Sequence, residues 1–323
     1  MPGFDTHYIF GKESYKKIDS KYIRRIIRNN HTVYGLGLQG PDIFFYDLIG
    51  HLKRDLDLGD LAHDHRVSDF LFYLRDAVKI FPEESDKEIA EVYFLGFLGH
   101  HTLDSTAHPY IYAVTDYDPY VKQKGYFDKH LKLETDINTV MLKKYKGLNP
   151  SQFRQLRTIE LDKDQLEIVA TQLLYAYNNT WPELGIKKER IVRAILSFQF
   201  NVGLLHDPRG EKKRFLATLE QFVPGHMLFS GIIARNRFIY NEDPCNLRHL
   251  SWSSPWEPEI VRNESFINLF NKAERKYLKL ISLSSKLFLS PSDLADEEKE
   301  NAELALFDAI GNVSYLSGLD SYE

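Results

Sequence analysis

Apolar residues recur at helical spacing through long stretches of this chain, while strict apolar–polar alternation is scarce. Residues 86–106 (DKEIAEVYFLGFLGHHTLDST) carry the pattern, and so do 163–177, 188–204, 215–222, 266–289 and 293–317. A chain patterned this way can bury its apolar side chains only by packing helix on helix. The fold class is therefore read as all-α, a multi-helix architecture with strand content near zero. Ser14 and Asp19 read as openers of early helices, and Asp293 stands ahead of an acidic first turn. Leu148-Asn149-Pro150-Ser151 and Asn178-Asn179-Thr180-Trp181-Pro182 read as turns. Residues 240–258 hold three prolines and two of the three tryptophans without helical period, which predicts a functional, lid-like loop. A seam near 148 divides the chain into 1–147, where the chemistry concentrates, and 148–323, a helical part expected to pack with it as one unit.

Charge and cysteine content narrow the function classes. The net charge of −5 argues against a broad basic footprint for duplex nucleic acid. The single cysteine, Cys245, excludes a disulfide framework and a cysteine-only zinc site. No run of 18 uncharged apolar residues exists to cross a membrane. The opening MPGFDTHYIFGKES lacks the basic and apolar regions of a secretory signal, so the chain is expected to be cytoplasmic.

Histidines and carboxylates carry the chemistry. His100, Asp104 and His108 stand at i, i+4 and i+8, which places them on one helix face about 6 Å apart along the axis. Pro109 comes next and predicts that this helix ends at His108. His130 and Glu134 repeat the i, i+4 spacing on another segment. Imidazole and carboxylate donors at this spacing can converge on one Zn²⁺, and a ladder two turns long predicts two ions. A solvated surface pair has the same spacing. Here, however, the first set lies in an apolar helix, where an unpaired His and Asp would be costly to bury. His7 lies too near the beginning to be an ordinary helix residue. Asp42 sits in GLGLQGPDIFFY among aromatics, and His63 and His65 form an H-x-H pair in GDLAHDHR.

The ordered set THYIFG, GPDIFFY, GDLAHDHR, GHHTLDSTAHPY and HLKLE resembles the zinc-dependent phospholipase C family. That family includes secreted bacterial phosphatidylcholine hydrolases and is related in fold to fungal single-strand nucleases with a trinuclear zinc cluster. The resemblance covers residues 1–140. It implies that Asp42, His63 (His65 second), His100 and Asp104 hold one zinc, and that His108, His130 and Glu134 hold another. A third would be held by His7 with Asp104 as a bridge. The secreted members complete that third site with a processed N-terminal Trp, whereas this chain begins Met1-Pro2. They also place the histidine six residues after the helix aspartate, against four here. Two firm ions and a labile or absent third are therefore expected.

The implied activity is hydrolysis of a phosphate ester, most plainly a diester, by a metal-bridging hydroxide with Asp42 and Asp104 at the reaction centre. Asp42 or Asp64 would serve as base. Phospholipid is one substrate the resemblance admits; the oligomeric state is left open. Two other readings compete: a single-strand nuclease, which needs stacking aromatics and a basic groove, and a non-catalytic helical module that binds metal for stability or sensing. Phe44, Phe45, Tyr46, Tyr110 and Tyr112 are candidates for core packing or a substrate cleft. Trp252 and Trp256 read as packed loop residues. His31 and His51 read as surface residues, and His101 points about 100° away from His100. His206, His226 and His249 stand as outlying candidates.

Overall fold

Period-3.6 patterning becomes helix across most of the molecule. The computed structural model describes residues 3–47, 56–121, 126–205, 240–288 and 296–321. Among these the helices are α1 (Phe4–Tyr15), α2 (Lys21–Asn29), α3 (His31–Gly37), α4 (Leu58–Asp64), α5 (Val67–Asp76), α6 (Glu84–Val114), α7 (Tyr126–Lys146), α8 (Lys163–Thr180), α9 (Lys188–Leu205), α10 (Phe266–Phe288) and α11 (Asp296–Ile310). A short 3₁₀ helix, Gly40–Tyr46, comes soon after α3. The described strands are β1 (Trp252–Ser254) and β2 (Glu257–Arg262), which pair antiparallel. The all-α expectation therefore holds, with one hairpin added.

Helix α6 is the axis of the molecule. Its 31 residues open on an acidic first turn, Glu84 and Asp86, favourable at the positive end of the helix dipole. From Ala90 to Ile111 its side chains are buried almost without a break. A helix that is apolar on every side must be surrounded, and α1, α3, α8, α10 and β1 pack around it. At its crossing with α3 the two backbones touch: a Cβ on Gly96 would lie 2.9 Å from the Gly37 Cα, and one on Gly37 would lie 2.5 Å from the Tyr93 carbonyl oxygen. This close approach holds the turn after α3 against His100. Residues on both sides of position 148 share one core, including Phe10, Tyr34, Phe97, Tyr177, Phe198, Phe270 and Tyr277.

Four local expectations are corrected. The helix does not end at His108 but runs through Pro109 to Val114. Proline removes one backbone hydrogen bond and crowds the carbonyl four residues back. Burial of Ala107, Tyr110 and Ile111 on both sides of it keeps the helix going. His7 is an ordinary helical residue: α1 begins at Phe4, and Asn138 of α7 clamps its first turn through Thr6 N (3.0 Å) and Thr6 Oγ1 (2.6 Å). Ser14 lies inside α1, and Ser20, not Asp19, caps α2 by accepting from Ile23 N. Residues 240–258 are an anchored turn and hairpin, held where Asp136 accepts from Tyr240 N (2.6 Å) and Asn241 N (3.0 Å). The helix expected at 215–222, the opener Asp293, and His51, His206 and His226 lie outside the described residues.

Candidate metal centre

Five elements deliver the donors to one place. Helix α6 supplies His100, Asp104 and His108, one turn apart. Helix α1 supplies His7, the 3₁₀ helix supplies Asp42, α4 supplies His63 and α7 supplies His130 and Glu134. All eight are buried, and His7, His100, Asp104 and His108 have no exposed surface.

An inner group forms around Asp104. Its two carboxylate oxygens face different histidines, with Oδ1 3.1 Å from His7 Nε2 and Oδ2 3.0 Å from His100 Nε2. Asp42 Oδ1 lies 3.4 Å from His63 Nε2 and 3.5 Å from His100 Nε2. The rings of His7 and His100 stack with centroids 4.2 Å apart. An outer group lies one turn on: His130 Nε2 is 2.8 Å from Glu134 Oε1, and His108 Nε2 is 4.0 Å from the same oxygen. His108 Nδ1, 3.9 Å from Asp104 Oδ2, ties the outer group to the inner one. His7, Asp42 and His100, then His63, His100 and Asp104, and then His108, His130 and Glu134, each bring three donor atoms close enough together to hold one metal ion.

The inner donors and His108 Nε2 face their neighbours without making directed hydrogen bonds. None ends on His7 Nε2, Asp42 Oδ1, His63 Nε2, His100 Nε2, His108 Nε2 or either oxygen of Asp104. Buried polar atoms are ordinarily satisfied, so a cluster of orphans calls for a shared partner. Bonds of about 2.0–2.2 Å to one ion set adjacent donors about 3.0 Å apart at right angles and about 3.4 Å apart at the tetrahedral angle. The inner separations, 3.0–3.5 Å, fall in that interval.

The far side of the ring is fixed, as a metal ligand requires, in four of the five histidines; His7 Nδ1 has no hydrogen-bond partner. His63 Nδ1 donates to Gly59 O (2.7 Å), His100 Nδ1 to Leu38 O (3.1 Å) and His108 Nδ1 to Tyr315 O (2.7 Å). A carbonyl only accepts, so the proton sits on Nδ1 and the Nε2 lone pair points into the centre. His130 Nδ1 pairs with the Tyr126 hydroxyl at 2.9 Å. Protonation agrees. Burial, then the neighbouring His100, pushes His7 down to about 4 despite Asp104. Burial likewise lowers His63, His108 and His130. Burial pushes Asp104 upward, yet His100, His108 and His7 together hold it well below the usual carboxylate range. Burial raises Asp42 well above that range. Neutral His7, His63, His108 and His130 near an ionised Asp104 are donors in the state a cation needs.

A cleft of about 370 Å³ opens on this centre, lined by Phe45, Asp60, His63, Asp64, His65, Tyr112, Tyr126, His130, Leu131, Glu134 and Leu316. Of the H-x-H pair, His63 enters the inner group and His65 stays exposed at the cleft. Phe45 and Tyr112 line the opening, whereas Phe44 and Tyr110 are buried in the core and Tyr46 packs on Phe198. Trp256 packs on Tyr112 and Tyr117, and Trp252 on Tyr110. His101 is buried and bonds Val313 O through Nε2. His249 is exposed, and its Nδ1 pairs with Asn263 O. His7 does not meet Asp104 alone, since Asp42 and His100 share its surroundings.

Tyr126 and the segment 312–321, which reaches the histidines from the other end of the chain, were not among the expected residues. A backbone carbonyl 207 residues from its partner leaves no pattern in a sequence. No family model, no curated protein and no solved structure matches the chain.

Proposed function

We propose that this chain is a zinc-dependent hydrolase of phosphate esters, resembling the phospholipase C family and acting on diesters. The observation that carries the reading is the set of buried, mutually misaligned donors in the inner group, spaced 3.0–3.5 Å as ligands of shared ions are. His7, Asp42, His63, His100 and Asp104 are assigned to the inner ions, and His108, His130 and Glu134 to the outer one. Zinc held there supplies a Lewis acid for a phosphoryl oxygen and brings the pKa of water towards neutrality. The borderline character of imidazole and carboxylate donors, without thiolates, suits that metal.

The remaining roles belong to the chain. Asp42 is committed to the inner group, so Asp64, which lines the cleft and accepts from Ser314 Oγ at 2.7 Å, is assigned as the proton-handling carboxylate. Phe45, Tyr112, Tyr126, Leu131 and Leu316 form an apolar wall suited to the alcohol side of an ester. The described lining includes Asp60, Asp64 and Glu134 and neither Lys nor Arg. That balance disfavours a polyanionic strand, which needs a basic groove.

The test is zinc content per chain followed by hydrolysis of bis-nitrophenyl phosphate, phosphatidylcholine vesicles and single-stranded DNA, each with and without chelator. Chelator-sensitive diester hydrolysis, restored by zinc, is expected. Metal bound without hydrolysis of any diester would replace this reading with the non-catalytic module.

A further inference from the structure

The segment after α11 returns across the molecule to the histidines. It is a closed loop in its own right: Val313 bridges to Asp320, Ser314 N bonds Leu319 O (2.8 Å) and Ser321 N bonds Asn312 O (2.7 Å). Its outward contacts converge on the centre. Tyr315 O accepts from His108 Nδ1, and Tyr315 N donates to the carbonyl of His63 at 3.2 Å. Val313 O accepts from His101 at 2.8 Å, and Ser314 Oγ donates to Asp64. The fully buried Tyr315 ring lies 4.9 Å from the His63 ring, 4.6 Å from His101 and 5.8 Å from His100. Leu316 lines the cleft.

We propose that residues 312–321 are a working part of the metal centre, with Tyr315 as the positioning residue for His108, so that docking of this strap and metal occupancy of the outer group are linked. The inference rests on reading the clustered donors as metal ligands. Its physical content is the tautomer of His108. With the Tyr315 carbonyl in place, the proton is held on Nδ1 and Nε2 presents its lone pair towards Glu134. With the strap withdrawn, a buried Nδ1–H loses its acceptor and the ring loses the bond that orients it. Linkage runs both ways: whatever the strap adds to metal affinity, the metal adds to strap docking.

The strap can be lifted without touching any ligand. Gly318 has φ +69°, and a Cβ there would lie 2.4 Å from the backbone oxygen of Ser105 on α6, with Pro109 Cγ at 3.5 Å. A backbone atom in a buried helix cannot yield, so Gly318→Ala displaces the strap. Gly185→Ala is the control, because Gly185 also has positive φ (+51°) but open space around it. Both variants are made in the full chain, checked by circular dichroism and titrated with zinc against a chromophoric chelator. Cobalt substitution reports the geometry at each ion.

Gly318→Ala is expected to lose roughly 10–100-fold in affinity for the outer ion, to keep the inner ions, and to change the cobalt spectrum of the weakened site only. Gly185→Ala keeps every ion the wild type binds. A folded Gly318→Ala that binds every ion as the wild type does overturns the proposal. Should that variant fail to fold, hydrogen exchange on the wild type decides. The amides of Ser314, Tyr315, Gly318 and Ser321 are expected to exchange faster after zinc is removed, and unchanged rates overturn the link. A wild type that binds neither zinc nor cobalt overturns the metal reading itself. A zinc-binding wild type with an indifferent strap overturns only this inference.

Discussion

The inner and outer groups both combine histidines with carboxylates and both draw on the central helix, yet they differ in packing. In the inner group four His–Asp contacts lie at 3.0–3.5 Å, His7 and His100 stack, and His7, His100 and Asp104 have no exposed surface. The outer group spreads from 2.8 to 4.0 Å, and its His130 and Glu134 line the cleft. His7, His100 and Asp104 are closed on all sides, and of the inner donors His63 reaches the cleft. On the proposed reading the outer group, together with His63, faces what enters the cleft, and metal exchange and substrate contact are expected there. The family resemblance makes His7 the expected weak point, for want of the processed Trp that completes its site in the secreted members.

Asp104→Asn tests the comparison most severely, because this one carboxylate faces His7 and His100 and lies beside His108. It is expected to lower zinc content in both groups and reduce hydrolysis about a thousandfold or more, the several kcal/mol a Lewis-acid ion supplies. A variant that loses only one ion would show that Asp104 does not join the groups. Glu134→Gln should be confined to the outer group, with roughly a hundredfold weaker binding of one ion and the inner ions retained. Equal loss from both groups, measured by metal analysis, would erase the distinction.

Proton uptake tests the inner group in metal-free protein. His7 has its pKa lowered from 6.5 to about 4 on folding, so the unfolded chain takes up a proton first as the pH falls. The stability tied to neutral His7 is present above pH 6.5 and is lost as the pH falls to about 4. Asp5, pushed up to about 7 by burial, titrates in the opposite sense, so the His7 contribution must be isolated by difference. Between about pH 7 and pH 4 the wild type should lose on the order of 3 kcal/mol relative to His7→Gln in denaturant unfolding. A flat difference would mean that His7 is not held neutral. The smallest effect is expected from Tyr126→Phe, which removes the hydroxyl beside His130 Nδ1. About a tenfold loss of affinity, in the outer group only, is expected from a titration.

Much of the scaffold could be read from periodicity. The stretches at 86–106, 163–177, 188–204 and 266–289 became helix almost throughout, with ends moved by the packing around them. The i, i+4 spacing also located His100–Asp104 and His130–Glu134, since that relation is local to one helix. Local rules failed where the deciding contact was distant. Pro109 stayed helical because buried neighbours outweigh the lost hydrogen bond, and His7 became helical because Asn138 clamps the turn before it. The carbonyls that orient His100 and His108 belong to Leu38 and Tyr315, 62 and 207 residues away. Backbone acceptors can be any residue type, so no residue pattern marks them.

The position of Tyr315 in the chain sets a clock. Glu134 is the last of the eight donors to be synthesised, and Tyr315 comes 181 residues after it. At about 5–20 residues per second, translation leaves an interval of roughly 10–40 s in which all the donors exist and His108 lacks its acceptor. A nascent chain meeting free metal in that interval has every donor, with His108 alone still without the carbonyl that orients it. On the proposed metal reading, an outer ion would be taken up by the finished chain, after synthesis rather than during it.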